Sequence, residues 1–265
     1  MNGVDDDQER KFLLDLRGVH KRFGGLHAVN DINFSVASGS IKALIGPNGA
    51  GKTTLFNLIA GNLSVSAGTI FFHGQEIQGK KTYQIARMGI ARTFQNIKLF
   101  HGMTALECVM VGRHVQSRSG FFAGLFNVPS TWKEERAIRT RAMELLDFLQ
   151  IADLAHAEAG SLAFGQQRAV EMARALAAEP KLLLLDEPAA GLNIYETAEV
   201  ARLIAAIRDL GVTVLLVEHD MSLVMDISDE IVVLSSGVKL AEDIPANIQK
   251  NAEVINIYLG EGNES

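Results

Sequence analysis

Residues 46–53 read GPNGAGKT, and this stretch decides the fold class. It has the spacing Gly-x-x-x-x-Gly-Lys-Thr, and it separates a short apolar run, Ile41–Ile45, from a predicted helix, Lys52–Ile59, that Gly61 closes. A glycine-rich loop between a strand and a helix presents backbone N–H groups and the positive end of a helix dipole to phosphate groups. The sequence therefore predicts an α/β protein with a polyphosphate-binding loop.

The residue types in this loop each suit phosphate binding. The glycines let the backbone wrap around a polyphosphate, the Lys52 ammonium reaches its β- and γ-phosphates, and the Thr53 hydroxyl can ligate Mg²⁺. An ordinary glycine-rich turn is the alternative, but the Lys-Thr pair, the spacing and the flanking segments favour the phosphate loop. The predicted nucleotide-binding residues of the loop are Gly46, Pro47, Asn48, Gly49, Ala50, Gly51, Lys52, Thr53 and Thr54.

Length and composition exclude several classes of protein. The chain has 265 residues, of which 48% are hydrophobic, and this is enough to bury a large core. A net charge of −6 removes the usual driving force for binding nucleic acid. The single cysteine, Cys108, can form no internal disulfide, which favours the reducing cytoplasm. An acidic, polar start and short apolar runs predict neither an export signal nor a transmembrane helix.

Hydrophobic patterning predicts an α/β core with an inserted helical region. Strand patterns cover residues 12–36, with a turn at 23–25, and residues 69–72. Between about 97 and 159 they stop, and the apolar residues of 131–150 lie on one face of a helix. The pattern also predicts a short helix at 83–88 and longer helices at 166–178 and 195–210. It further predicts strands at 182–185 and 212–217, a hairpin at 230–241 and a final helix at 245–259.

Two predicted buried strands end in charged residues. The segment KLLLLDEP, 181–188, places Asp186 and Glu187 at the carboxyl edge of a parallel sheet, where ligands bind. Asp186 suits Mg²⁺, through water, and Glu187 suits an attacking water; a plain acidic loop is the alternative. The segment VTVLLVEHD, 212–220, places His219 at the same edge, where it can hydrogen-bond a γ-phosphate or that water. A histidine satisfied by its neighbours is the alternative there.

The phosphate loop, KLLLLDEP and VEHD, in this order and spacing, resemble the ATP-binding-cassette ATPases over nearly the whole chain. The resemblance implies an α/β fold: a P-loop NTPase core with a mixed, mostly parallel sheet, an antiparallel β subdomain and an inserted α-helical subdomain. It implies a tail at 1–10, a nucleotide-binding core at 11–95 and 165–260, and a helical subdomain at 96–164. It also implies ATP and Mg²⁺ as ligands, and a head-to-tail dimer with two ATP molecules at its interface.

The same resemblance assigns roles to particular residues. Phe23 is expected to stack on adenine, although a hairpin core residue is nearly as good an interpretation of it. Gln95, in the segment RTFQ, is expected to link the metal and the water to the membrane partner; otherwise it is a solvated loop residue. The resulting catalytic set is Glu187, His219, Lys52 and Gln95, and the resulting metal set is Thr53, Gln95 and Asp186.

One segment departs from the family pattern. The family's signature helix begins LSGGQ, whereas this chain reads LAFGQ at 162–166. The residues of this motif that are expected to face the partner's ATP are Ala163, Phe164, Gly165 and Gln166. Because Ala163 has no hydroxyl, the chain is expected to complete its partner's site weakly, which favours a heterodimer with a paralogous ATPase over a homodimer. Asn193 stands where many members of the family have aspartate, with no clear effect.

Finer features resemble the LivG-type branch of the family, the ATP-binding subunits of branched-chain amino acid importers. They include residues 84–95, the insertion GFFAGLF at 120–126, AFGQQR, and DEPAAGLN. The resemblance implies transmembrane permease partners, an indirect link to a periplasmic binding protein, and a peripheral location on the cytoplasmic face of the membrane. Phe121, Phe122 and Phe126 are either local core or part of a groove for a permease helix.

Other functions stay open at this point. Within the family, importers for urea or amides and lipid exporters are the alternatives. A soluble P-loop phosphotransferase is the alternative from another class, but it leaves the signature-like helix and VEHD unexplained. Cassette proteins that act on DNA or ribosomes usually carry two cassettes or basic arms, which this sequence lacks.

Overall fold

The structure, a computed structural model, describes residues 12–93, 99–100, 102–113 and 129–260, without the side chains of 129–133 and 259–260. The chain divides into two compact units, one formed by residues 1–85 and 184–265 and the other by residues 86–183. The strands are β1 (Phe12–Phe23), β2 (Leu26–Ala37), β3 (Ile41–Ile45), β4 (Ala67–Phe72), β5 (Gln75–Glu76), β6 (Ile90–Arg92), β7 (Leu182–Asp186), β8 (Thr213–Val217), β9 (Glu230–Ser235) and β10 (Val238–Asp243). The helices are α1 (Lys52–Ile59), α2 (Thr82–Met88), α3 (Ala105–Arg113), α4 (Pro129–Phe148), α5 (Phe164–Ala177), α6 (Ile194–Asp209), α7 (Met221–Ile227), α8 (Pro245–Ile248) and α9 (Ala252–Gly260).

The first unit contains an antiparallel sheet with the order β2-β1-β4-β5. Alternation in β2 buries Ile32, Phe34 and Val36 and leaves the residues between them less buried, as a sheet with one covered face requires. Strands β1 and β2 pair in the register Leu16↔Phe34 and are joined at residues 24–25, where Gly24 has a φ of 58°. The predicted strand pattern and turn at this position are confirmed.

A second sheet has the order β10-β9-β3-β8-β7-β6, with β3 parallel to both β8 and β9. Every residue of β3, β7 and β8 is buried, as expected of strands covered on both faces. Strand β7 begins in the second unit, where the Gly89 carbonyl accepts hydrogen bonds from the N–H groups of Lys181 and Leu182, and ends in the first. The α/β prediction, with its mixed sheet and separate antiparallel sheet, is confirmed.

Among the helices of the first unit, α1 and α6 lie where the sequence predicted them, α7 was not predicted, and the carboxyl end differs. Helix α1 has the predicted bounds, and Gly61 follows its last turn with a φ of 73°. The single final helix predicted for residues 245–259 is wrong, because the chain forms α8 and α9 instead. Between them, Asn251 Oδ1 accepts hydrogen bonds from the N–H groups of Glu253 and Val254, which starts a new helix.

The second unit packs α3, α4 and α5 against one another. Helix α4 buries its predicted apolar face. That face consists of Ile138, Ala142, Leu145 and Leu146, and Leu149, directly after the last helical residue, is buried beside it. Helices α3 and α5 approach so closely that a Cβ added at Gly112 would lie 2.0 Å from the Arg174 carbonyl oxygen. In the part of the chain that the structure describes, no helix is long and apolar enough to cross a membrane.

Candidate nucleotide site

The phosphate loop connects the end of β3 to the start of α1. The Lys52 side chain is buried and turns back over the loop, where its ammonium donates hydrogen bonds to the Gly46 and Pro47 carbonyls. A turn within the loop is closed by the Ala50 N–H, which donates to the Pro47 carbonyl over 3.2 Å. The loop therefore forms a compact arch that holds the lysine charge at the amino end of α1.

Glycine is required at three positions of this loop for different reasons. Gly46, Gly49 and Gly51 have φ values of 145°, 80° and 100°. A Cβ at Gly46 would lie 2.1 Å from the Leu234 carbonyl oxygen, and one at Gly51 would lie 2.4 Å from the Ala28 carbonyl oxygen. A Cβ at Gly49 would meet nothing within 4 Å. Gly46 and Gly51 thus allow the loop to pack against neighbouring backbone, whereas Gly49 faces open space.

A second loop braces the phosphate loop from the side. The turn between β9 and β10 contains Gly237, whose N–H donates to the Ala50 carbonyl over 3.1 Å and whose carbonyl accepts from the Asn30 N–H over 2.7 Å. Gly237 therefore ties the loop to both sheets of the first unit. The sequence placed a hairpin at 230–241 but gave no sign of this contact, because it joins segments that are distant along the chain.

The acid pair follows β7, where the sequence placed it. Asp186 is buried, and Glu187 is partly buried with a φ of 50°, a left-handed conformation that side-chain-bearing residues seldom adopt. The Glu187 N–H donates to the Val217 carbonyl at the end of β8 over 2.9 Å. Strained backbone of this kind persists only where the surroundings hold it, and it is concentrated at functional sites.

His219 and Glu187 meet at the ends of two neighbouring strands. The distance from His219 Nε2 to Glu187 Oε1 is 2.9 Å, with the histidine side chain 44% exposed and the glutamate side chain 17% exposed. A carboxylate hydrogen-bonded to an accessible imidazole can accept a proton from a water molecule and share it with the ring. The structure thus brings together two residues that the sequence predicted separately.

The sequence interpretation missed Glu218, the residue between Val217 and His219. Its carboxylate is 3% exposed and accepts hydrogen bonds from three backbone N–H groups, those of Ala189, His219 and Asp220. The available signal was a second acidic residue directly after an entirely apolar strand. A charged side chain at such a position is buried only when it is hydrogen-bonded.

The donors for a divalent cation are few. Thr53 lies exposed at the start of α1, and Asp186 is buried at the end of β7. Among the described residues, no three His, Cys, Asp or Glu side chains form a group that could hold a metal ion. One hydroxyl and one carboxylate suit Mg²⁺ when phosphate oxygens and water supply the other ligands, as they usually do for this ion.

The remaining predicted residues of the first unit lie at the edge of β1 and in the loop. Phe23 ends β1 with its side chain 46% exposed, and the Lys21 ammonium lies 5.0 Å from the ring centroid. The alternative of a hairpin core residue is therefore wrong for Phe23. Asn48 is exposed and Thr54 is partly buried. Gln95 and the phenylalanines at 121, 122 and 126 lie outside the described residues.

The signature segment begins α5 in the second unit. Ala163 is the N-cap, and its backbone N–H donates to Gln166 Oε1 over 3.1 Å, so the Gln166 side chain caps the helix from within. The Phe164 ring is 47% exposed and has the Arg168 guanidinium 5.4 Å from its centroid. Gly165 follows in the first turn, partly buried. The helix thus presents an aromatic ring where the family pattern has a glycine.

Asn193 has a local role that the sequence interpretation did not find. Its Oδ1 accepts hydrogen bonds from the N–H groups of Tyr195 and Glu196 at the start of α6. Glu196 Oε2 in turn accepts from the Asn193 N–H over 2.9 Å. This reciprocal pair is a capping box, to which asparagine is as well suited as aspartate.

A phosphate loop after β3, an acid pair after β7 and a histidine after β8 define a P-loop NTPase with the layout of an ATP-binding cassette. Comparison with known proteins agrees with this class. A family model described as "ABC transporter" matches residues 29–190. The chain belongs to the ABC transporter family, and it is an ATP-binding ATPase of that family.

Curated relatives match almost end to end. The high-affinity branched-chain amino acid transport ATP-binding protein BraF of Pseudomonas aeruginosa is 47% identical over 250 residues, which are 94% of this chain and 98% of BraF. The high-affinity branched-chain amino acid transport ATP-binding protein LivG of Escherichia coli K12 is 46% identical over 250 residues, which are 94% of this chain and 98% of LivG. Among solved structures, a nucleotide-free ATP-binding cassette from an ABC transporter superposes with a TM-score of 0.82 at 31% identity, covering 93% of this chain and 98% of that one.

Proposed function

We propose that the chain is the ATP-hydrolysing subunit of an importer for branched-chain amino acids, with ATP-driven closure of a cassette dimer as its power stroke. The observation that carries this proposal is the identity of 46–47% to two branched-chain amino acid transport subunits over 98% of their length. The proposed location is peripheral, on the cytoplasmic face of the cell membrane.

The proposed chemistry divides between holding the phosphates and handling the water. Lys52 and the loop N–H groups bind the β- and γ-phosphates, and Phe23 offers its exposed ring to adenine. Glu187 orients and deprotonates the attacking water, and His219 shares the proton through the 2.9 Å contact. Bound Mg²⁺, held by Thr53 and Asp186, would neutralise charge on the phosphates. Gln95 is proposed to sense the site.

The proposed assembly contains chains other than this one. The signature residues Ala163, Phe164, Gly165 and Gln166 are proposed to face ATP held by a second cassette. Without a hydroxyl at position 163, this chain offers that nucleotide backbone groups and an exposed ring, so we infer a heterodimer with a paralogous ATPase rather than a homodimer. Permease subunits supply the membrane passage, and a periplasmic binding protein delivers the substrate to them.

Co-purification tests the assembly. The tagged chain is extracted from its host membranes in mild detergent, and the proteins that accompany it are identified by mass spectrometry. Two apolar permease subunits and a second ATPase are expected. Recovery of the chain alone from the cytosol, under several extraction conditions, would contradict the importer and favour a soluble phosphotransferase.

Uptake measurements test the substrate. In cells that depend on this chain, Lys52→Ala is expected to abolish leucine uptake because it removes the phosphate-binding ammonium. Lys250→Ala, which changes an exposed lysine of the same unit, serves as the matched control and should leave uptake unchanged. Loss of urea or amide uptake with intact leucine uptake would assign the chain to a related importer instead.

A further inference from the structure

Glu218 links the two loops that carry the proposed water-handling pair. Its Oε1 accepts a hydrogen bond from the Ala189 N–H over 2.7 Å, across 29 positions of sequence, and its Oε2 accepts from the His219 N–H over 2.8 Å. The Asp220 N–H adds a third, longer bond of 3.3 Å to Oε2. One buried side chain therefore joins the turn after Glu187 to the backbone of His219.

These contacts use both carboxyl oxygens of Glu218 as acceptors. All three partners of Glu218 are N–H donors, so both of its oxygens must act as acceptors. Hydrogen bonds to a charged acceptor are stronger than neutral ones, and they keep this buried charge in place. A glutamine would turn an NH₂ group toward one of the two loops and leave a buried donor facing another donor.

The neighbouring geometry shows what this link controls. Glu187 holds a left-handed φ of 50°, and its own N–H is bound to the carbonyl of Val217, the residue before Glu218. Residues 217 and 218 thus hold the Glu187 turn from both sides, while Glu218 also fixes the backbone of His219. The 2.9 Å contact between the Glu187 and His219 side chains depends on the two backbone segments keeping their positions relative to each other.

We propose that Glu218 is a positioning residue for ATP hydrolysis, which sets the Glu187–His219 pair without itself touching the nucleotide. This inference rests on the proposed roles of Glu187 and His219. A residue that acts only by positioning the water-handling groups affects the chemical step and leaves nucleotide binding unchanged. That distinction separates it from a residue that merely stabilises the fold.

The experiment compares Glu218→Gln and Glu218→Asp in the membrane-extracted complex. Glu218→Gln is expected to lower kcat about 100-fold, the size of effect that small misplacements of catalytic groups produce, with the ATP dissociation constant within about 2-fold of the unaltered chain. Aspartate keeps the charge and can still reach the His219 and Asp220 N–H groups, but it is one methylene too short to span to Ala189. It is therefore expected to lose most of the activity as well.

Asp229→Asn provides the matched control. The Asp229 carboxylate also accepts a backbone N–H, that of Ile41, at the opposite end of β3 from the phosphate loop. The Asp229 side chain is 47% exposed, and asparagine keeps an oxygen that can accept this N–H, so the variant removes a hydrogen-bonded carboxylate charge of the same unit away from the site. An effect of lost charge alone would appear in both variants. Its kcat is expected to stay within about 2-fold of the unaltered chain.

The outcomes separate this proposal from the one on which it rests. If Glu187→Gln hydrolyses ATP normally, the assignment of the water-handling pair fails. If Glu187→Gln is inactive but Glu218→Gln turns over at the normal rate, or if Glu218→Asp restores full activity, only the positioning role of Glu218 is overturned. A kcat loss matched by an equal loss in Asp229→Asn would also overturn it.

Amide hydrogen exchange supplies a test that needs no variant to fold. In the unaltered chain, the Ala189 and His219 amides should both exchange slowly, because each donates a hydrogen bond to the buried Glu218 carboxylate. Exchange of the Ala189 amide at the rate of an unprotected peptide would show that the link is absent, and the proposal would fall. Slow exchange of both amides, together with the kinetic result, is the expected outcome.

Discussion

The two glycines at positions 46 and 49 allow a test of how the phosphate loop is built. Gly46→Ala places a Cβ 2.1 Å from the Leu234 carbonyl oxygen at a φ of 145°, whereas Gly49→Ala places one in open space at a φ of 80°. The Leu234 backbone is held in β9 by pairing with Lys239 of β10, so it cannot move aside freely. The first substitution should therefore disrupt packing, and the second should only strain its own backbone.

The structure allows the two costs to be worked out. For Gly46→Ala, the strained backbone conformation lowers the free energy of unfolding by about 2 kcal/mol and overpacking lowers it by about 2 kcal/mol more, a total loss of about 4 kcal/mol. For Gly49→Ala, the left-handed conformation alone contributes about 1.5 kcal/mol. At about 3 °C per kcal/mol for a chain of this size, the expected losses of Tm are about 12 °C and about 4 °C.

The loss of ATP affinity should be larger for Gly49→Ala, although the loss of stability is larger for Gly46→Ala. The proposed function places the phosphates on the open side of Gly49, so a methyl group there should weaken ATP binding even though it hardly affects the fold. The assay is thermal unfolding of both variants, with and without ATP. If Gly46→Ala melts no lower than Gly49→Ala, the packing of the loop against β9 does not explain its glycine.

Three further predictions concern separate parts of the chain. Glu187→Gln should abolish ATP turnover and retain ATP binding, because it removes the proposed base and keeps the shape; near-normal hydrolysis would remove Glu187 from that role. Burial raises the pKa of the Cys108 thiol, so the folded chain holds that proton at a pH where the unfolded chain releases it. The Tm advantage over Cys108→Ala should thus be constant below the unfolded pKa, near pH 8.5, and shrink as pH rises through the folded value; parallel curves would contradict this. Ala163→Ser should raise stability by about 1 kcal/mol by capping α5, with Ala163→Gly as the control and unfolding as the measurement; no gain would show that Gln166 already satisfies this end of the helix.

Local patterns explain what could be predicted from the sequence. The bounds of α1 follow from the apolar run before it, the loop glycines and Gly61, all within 21 residues. The buried strands β7 and β8 were recognisable because each contains four consecutive apolar residues, and such short apolar runs admit few other structures. Such features depend on neighbours along the chain, and these are visible in a sequence.

Competing local signals explain the errors. The apolar pattern of residues 245–259 continues across Asn251. Periodicity alone does not reveal that the Asn251 side chain caps a new helix. Strand β6 has three residues, too few to show a pattern, and forms because β7 lies beside it. In both places the deciding hydrogen bonds were a side-chain cap and a pairing with a distant segment.

The site shows the same division between single residues and their contacts. Lys52, Asp186, Glu187 and His219 were identifiable because each follows or begins a recognisable element. The Glu187–His219 contact and the Glu218 link depend on β7 and β8 being neighbours, which no local pattern encodes. Sequence reasoning therefore found the proposed reacting groups and missed Glu218, which is proposed to position two of them.

The two departures from the family pattern, at the signature and at Asn193, share a structural property. Each lies at the N-cap of a helix, but only one of the two caps is complete. At α6, Asn193 and Glu196 each accept the backbone N–H of the other, whereas at α5 Gln166 Oε1 accepts the Ala163 N–H and Ala163 has no side-chain acceptor for the first N–H groups of the helix. Both helices still begin at these positions, so the proposed consequences of the departures lie mainly in what the helix ends present to a second molecule. An alanine and an exposed phenylalanine in place of a serine and a glycine remove a hydrogen-bond donor from that surface and add an aromatic ring. In the proposed heterodimer, the paralogous ATPase rather than a second copy of this chain would carry the complete signature.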